Sequence, residues 1–222
     1  MWIFLAAPLI LLLVCQIIFL IVRRRRKIRQ EWYFDCSCRR CSDPSECGTN
    51  ISGVMCPHCH TGHCLPHNPL HYSSPWLCNK VSYFKLENIL QIHDKYFVQC
   101  SRLTDCDKIE EIVTHVETEL NNITNSGDFE QYKQFIQDYS GVILHKNHFL
   151  LTTAKRNLMQ YYCYSVSVHD ASKQDDLEYK VQLCQDFHDI LTKIDPGWSE
   201  LAMFAKRELH FYKSVSNNHN HH

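Results

Sequence analysis

The 222 residues carry a formal net charge of −1, and 45% of them are hydrophobic. That balance supplies a folded core and excludes a disordered chain, while it lacks the basic surplus with which general nucleic-acid binders neutralise phosphates, so no nucleic-acid partner is expected. Thirteen cysteines admit either a disulfide scaffold or a reduced metal protein, and spacing and compartment must choose between them.

In chain order, Trp2 to Val22 contains no charged residue, which predicts one transmembrane helix or signal anchor over residues 1–22. The run Arg23 to Lys27 follows it, and the positive-inside rule then gives a membrane-anchored protein with a cytosolic body. A cleavable signal peptide would carry its positive charge before a shorter apolar run. Should the span be an artefact of gene assembly, the body belongs in cytoplasm or nucleus. With that run included, residues 23–35 read as a basic flank. A reducing cytosol turns the cysteines toward thiolates and metal.

Residues 36–82 hold eight of the cysteines and five histidines, His58, His60, His63, His67 and His71. Two clusters stand out. Cys36, Cys38 and Cys41 are too closely spaced for one helix or strand to aim three sulfurs the same way, but a knuckle around an ion does so, with Cys47 as the nearest fourth donor. Cys56 and Cys59 form a C-x-x-C pair, and Cys78 follows after a Pro/His-rich loop. A zinc ribbon would place its fourth cysteine where Val81 stands. Cys64 or His63 is near enough to substitute. One or two structural Zn²⁺ ions are expected, on Cys36, Cys38, Cys41, Cys47, Cys56, Cys59, Cys64 and Cys78. No H-E-x-x-H or C-x-E pattern offers a catalytic zinc.

Residues 83–214 read as a helical domain. Ile109, Ile112, Val113, Val116, Leu120 and Ile123 recur at three- and four-residue steps, with Asp105 placed as a cap. A second helix from about Asp128 presents Phe129, Tyr132, Phe135, Ile136 and Tyr139, and Gly141 can end it. A third spans about Asn147 to Tyr162, a fourth carries Leu177 to Leu191 up to Pro196-Gly197, and a fifth holds Trp198 to Tyr212. Residues 215–222 read as a frayed tail. The fold class expected is mainly α: a zinc-stabilised Cys-rich loop region, then antiparallel helical hairpins of tetratricopeptide (TPR-like) kind, preceded by the membrane helix.

The run RRKIRQEWYFDCSCRRCSDPSECGTNISGVMCPHC, with LPHNPL and SPWLC behind it, resembles the end of the SET domain in the SET and MYND domain-containing (SMYD) proteins, in particular the arthropod SmydA or msta-like branch. LHKNHFLL at Leu144 to Leu151, KVQLC and LTKIDPGWS extend the resemblance into the helical part. It implies a zinc on Cys36, Cys38 and Cys41, shared with a cysteine of the SET core. It also implies that Tyr33 and Phe34 help to wall a cofactor and lysine channel. Members of that family are S-adenosylmethionine-dependent protein-lysine methyltransferases or weak relatives. This chain carries no MYND finger, no G-x-G turn, no N-H-x-C segment and no catalytic tyrosine loop, and its six glycines are isolated. S-adenosylmethionine is therefore not expected to bind, and no catalytic residue is assigned. The expected function is a zinc-binding, helical module that holds a protein segment or peptide. The alternative is a truncated piece of a SET-domain methyltransferase acting in histone or protein methylation and transcription regulation.

Overall fold

The computed structural model describes residues 21–84, 96–100, 102–165, 174–197 and 200–219. Most of these residues are helical, and a small antiparallel sheet holds the cysteine region.

Helix α1 (Ile21–Trp32) is built from straight-chain Arg, Lys, Gln and Glu, which lose little rotamer freedom in a helix. It ends where Tyr33 turns left-handed, at φ 57°, with its amide donating to the Arg29 carbonyl at 3.1 Å. This helix corrects the expected membrane anchor. Ile21 and Val22, the last two residues of the anticipated span, are buried against the protein at 0 and 3% exposure. The Ile21 amide donates to Ser52 Oγ at 3.0 Å. Nor is the basic run a solvated flank: Arg24 and Arg25 are buried, and Arg23 reaches Glu110 and Glu117. Residues 1–20 lie outside the described residues, and among those described no helix is long and apolar enough to cross a membrane.

A one-turn helix α2 (Arg39–Ser42) leads into the sheet. Its strands are β1 (Val54–Met55), β2 (His63–Pro66), β3 (Trp76–Cys78) and β6 (Leu103–Thr104), in the order β1-β2-β3-β6. The register sets Val54 opposite Cys64, Cys64 opposite Cys78, and Trp76 opposite Thr104. Between β3 and β6 a hairpin, β4 (Val81–Phe84) and β5 (Tyr96–Gln99), pairs Val81 with Gln99. The expected Cys-rich loop region thus contains a sheet, whose last strand comes from beyond residue 82.

Five helices follow. In α3 (Cys106–Ser126) the stripe Ile109, Val113, Val116, Leu120 and Ile123 is buried, and Gly127 closes the helix in the left-handed conformation that a β-carbon disfavours. In α4 (Glu130–Tyr139) Tyr132, Phe135, Ile136 and Tyr139 are buried. Helices α5 (Phe149–Ser165), α6 (Gln174–Ile194) and α7 (Glu200–His219) each pack on the one before. The last of them runs on into residues expected as tail.

Sheet and helices share one hydrophobic core, in which Ile51, Val54, Cys64 and Trp76 join Val113, Phe135, Leu151 and Phe187. The LHKNH stretch ties the two together. Leu144 is fully buried, the Met55 amide donates to the Ile143 carbonyl, and the His145 amide donates to the Gly53 carbonyl. Asn147 Nδ2 donates to the Thr49 carbonyl at 2.9 Å. The motif's role here is to satisfy the free edge of β1 with helical-side backbone.

Candidate metal centre

Four thiols converge where the sheet meets the hairpin: Cys56, Cys59, Cys78 and Cys100, all within 4.8 Å of one another. Cys56 Sγ lies 3.9 Å from Cys100 Sγ, and Cys59 Sγ lies 3.7 Å from Cys78 Sγ. Sulfurs bound tetrahedrally at zinc's usual 2.3 Å stand about 3.8 Å apart, so this donor set fits the ion in number, kind and spacing. Each element contributes for a local reason. The knuckle Cys56-Pro57-His58-Cys59 folds tightly, with the His60 amide donating to the Cys56 carbonyl at 3.0 Å and His60 left-handed at φ 53°. Strand β3 delivers Cys78. Because Val81 pairs with Gln99, the hairpin carries Cys100 back beside Lys80, whose carbonyl accepts from the Cys100 amide at 3.1 Å.

The environment separates the thiols. Burial opposes ionisation of Cys59, but hydrogen bonds from the Thr61 and Gly62 amides, the Thr61 hydroxyl and the Cys56 thiol outweigh it and hold the group down at about 5. Burial pushes Cys78 up, as do the neighbouring thiols of Cys56, Cys59 and Cys100. Such an enclosed set of four sulfurs leaves a tetrahedral ion no vacant position for substrate, and so suits structure rather than catalysis.

The second group holds three thiols, Cys36, Cys38 and Cys41, again within 4.8 Å of one another. Burial raises Cys41 to about 11 against the pull of the Arg24 guanidinium, which donates to its sulfur at 3.4 Å. Cys38 is exposed, and although burial works the other way, hydrogen bonds from the Cys41 amide and the Cys36 thiol lower it.

Two residues expected as donors sit elsewhere. Cys47 belongs to neither group; its amide is tied to Asp43 Oδ2 at 2.7 Å and its backbone is left-handed, at φ 63°. Cys64 is fully buried in β2, where desolvation first and the Cys56 charge second push it up to about 12, so it packs as a neutral side chain. His63 donates its amide to Asn79 Oδ1, and its ring lies tilted against that of His145, with the centroids 4.7 Å apart. Spacing does not point to Cys100: only the β4-β5 register brings it to the other three thiols. Tyr33 and Phe34 are 89 and 53% exposed.

No protein-family model matches the chain, and no curated protein matches it. Both cysteine groups could hold a metal ion, consistent with zinc.

Proposed function

We propose that this chain is a zinc-stabilised helical module that binds a protein segment and does not itself transfer methyl groups. The observation that carries the reading is a groove of about 470 Å³ between the metal knuckle and α3. One wall is Cys56, Pro57 and His60; the other is the α3 face Lys108, Glu111, Ile112, His115 and Val116; Met55, Val142 and Ile143 complete it. Val142 and Ile143 are 63 and 37% exposed, a pair of β-branched aliphatic side chains turned to water beside an apolar concavity. An ion on Cys56 fixes one wall, so zinc acts on the binding surface without touching the bound segment. The rim carries Lys108 and Glu111, which suits a segment with apolar anchors and mixed flanking charge.

The kinship with SMYD/msta-like proteins belongs to this proposal and rests on the motifs CSCRRC, LHKNH and DPG. A second reading, a piece of a SET-domain methyltransferase, draws support from the exposed run Trp32-Tyr33-Phe34, an aromatic surface of the kind that packs on a neighbouring domain.

A photo-crosslinking residue at Val142 in the native cell tests the first reading. Discrete protein adducts at position 142 that are absent from the same probe at exposed Glu200 support it. Equal labelling at both positions, or methyl transfer by the purified chain supplied with S-adenosylmethionine, overturns it.

A further inference from the structure

The four-thiol centre contains two contacting pairs, and each pair joins a reachable sulfur to a hidden one. Cys59 and Cys100 are half-buried, whereas Cys56 and Cys78 are fully buried. Cys59 Sγ lies 3.7 Å from Cys78 Sγ, and Cys100 Sγ lies 3.9 Å from Cys56 Sγ. Sulfurs in a disulfide stand about 2.05 Å apart, so rotation of the side chains has roughly 2 Å or less to close in each pair. The Gly62 amide donates to Cys59 Sγ at 3.4 Å, a contact that favours this sulfur as an anion. Spacing in the sequence would join Cys56 to Cys59 across the C-x-x-C knuckle. The contacts instead join the knuckle to β3 through Cys78 and to the hairpin through Cys100.

We propose that this centre is a peroxide-responsive switch in which Cys59 and Cys100 are oxidised first, Cys78 and Cys56 resolve them, and disulfides joining Cys59 to Cys78 and Cys56 to Cys100 take the place of the ion. The release of an ion rests on the reading that these thiols hold one; the pairing of the sulfurs does not. The Cys59 thiolate attacks one oxygen of hydrogen peroxide, so that an S–O bond forms, the O–O bond breaks and hydroxide leaves. The Cys78 sulfur then attacks the sulfenic acid, the S–S bond forms, the S–O bond breaks, and the departing hydroxide takes the thiol proton as water. Two thiols thereby give two electrons to one peroxide. Cys100 and Cys56 repeat the sequence with a second peroxide. The first link already removes two of the four donors, and the ion leaves as an aqueous cation. The joined cysteines are 19 and 44 residues apart, and links across such loops stabilise a fold chiefly by constraining the unfolded chain. Knuckle, β3 and hairpin therefore stay fastened together after the ion has gone, and a thiol reductant restores the site.

The test treats the full zinc-loaded chain with hydrogen peroxide, follows released zinc with a chromophoric chelator, and maps disulfides by mass spectrometry of the unreduced digest. The expected result is release of the zinc equivalent that Cys100→Ser lacks from the outset, links from Cys59 to Cys78 and from Cys56 to Cys100, and renewed zinc binding after dithiothreitol. In Cys78→Ser, dimedone should trap a sulfenic acid on Cys59. Should that variant not fold, the wild-type map decides together with a second comparison: the oxidised, ion-free chain should unfold at a higher temperature than the reduced chain stripped by chelator. A link from Cys56 to Cys59, or from Cys64 to Cys78, in place of the expected pairs overturns the proposal. So do dimedone adducts on Cys56 or Cys78, zinc release without disulfides, or equal unfolding temperatures. A chain that binds no zinc at this centre overturns the metal reading and the release step with it; the pairing is then read on the same ion-free chain, where both links support it and their absence overturns it.

Discussion

The thiols of Cys56 and Cys100 stand 3.9 Å apart although 44 residues separate them. That closeness exists only if the β4-β5 hairpin forms in the register that sets Val81 opposite Gln99. An ion at this point therefore closes a long loop as well as bridging sheet and hairpin, and the energy of its binding is energy of folding. Cys100→Ser is expected to lower metal content by one equivalent per chain and to reduce stability by several kcal/mol. Elemental analysis and thermal unfolding of the variant check both.

Cys64→Ser provides the contrast. Its thiol is fully buried and neutral, outside the four-thiol group. Replacing it with the smaller serine at that fully buried place, beside the Cys56 thiol and the Thr104 hydroxyl, is expected to cost about 1–3 kcal/mol while metal content stays unchanged. A fall in metal content would make Cys64 a ligand after all.

The helices from α3 onward were legible because each repeats apolar residues over ten or more positions, and the buried stripe of α3 is the one its periodicity marks, apart from Ile112, which lines the groove. The sheet was not. Its strands are two to four residues long and read His-Cys-Leu-Pro or Trp-Leu-Cys, too short for alternation to declare itself. Cys36, Cys38, Cys41, Cys56 and Cys59 were legible as donors because ligand spacing is local; Cys100 was hidden because its partners are reached through a register. Arg23 to Lys27 misled for a related reason. Charge beside an apolar run reads as a membrane flank, and nothing nearby in sequence shows that Glu46 waits to receive Arg24.

That carboxylate is fully buried and accepts from Arg24, from Arg40 at 3.3 Å and from the Ser52 hydroxyl. Glu46→Gln keeps the shape and removes the charge, leaving two enclosed guanidinium groups without a counter-ion. Breaking a buried pair in this way costs about 3–5 kcal/mol. Guanidinium chloride unfolding of the variant measures it, and a loss below about 1 kcal/mol would mean that the arginines reach water instead.

Acid should weaken the junction between sheet and helices. His148 is fully buried; desolvation first, then the charges of His145 and Arg23, hold its imidazole down to about 3. Burial, with His63 and Lys146, brings His145 to about 4. Both titrate near 6.5 in the unfolded chain. Below that value the unfolded chain takes up protons that the folded one refuses, so stability that is complete above about pH 6.5 falls as pH drops toward about 4. For His148 the loss between pH 7 and 5 is about 2 kcal/mol. Protonation of the thiolates acts in the same direction, so the measurement is the difference between two proteins: urea midpoints of wild type and His148→Gln at both pH values, with the variant showing the shallower decline. Parallel declines would remove His148 from the account.

Gly62 gives the sharpest test of how closely the four-thiol site is packed. A β-carbon there would lie 2.6 Å from Lys80 Cβ and 2.7 Å from Cys78 Sγ, closer than such atoms can approach. The same residue fixes the knuckle through its backbone, since its carbonyl accepts from the Cys56 amide at 2.8 Å and its amide donates to Cys59 Sγ at 3.4 Å. Gly62→Ala must therefore displace either the Cys78 sulfur or the knuckle that carries Cys56 and Cys59. Overpacking of this size costs about 1–3 kcal/mol, which, taken from the bound state, is roughly a tenfold to hundredfold loss of metal affinity. Gly127→Ala separates that effect from ordinary destabilisation. Its site is left-handed, at φ 70°, with open space around the missing side chain, so alanine there strains only the backbone, by about 1 kcal/mol. Competition titration against a chromophoric chelator should show weakened binding in Gly62→Ala and none in Gly127→Ala. Equal affinities in the two variants would mean that Cys78 is not held by the ion.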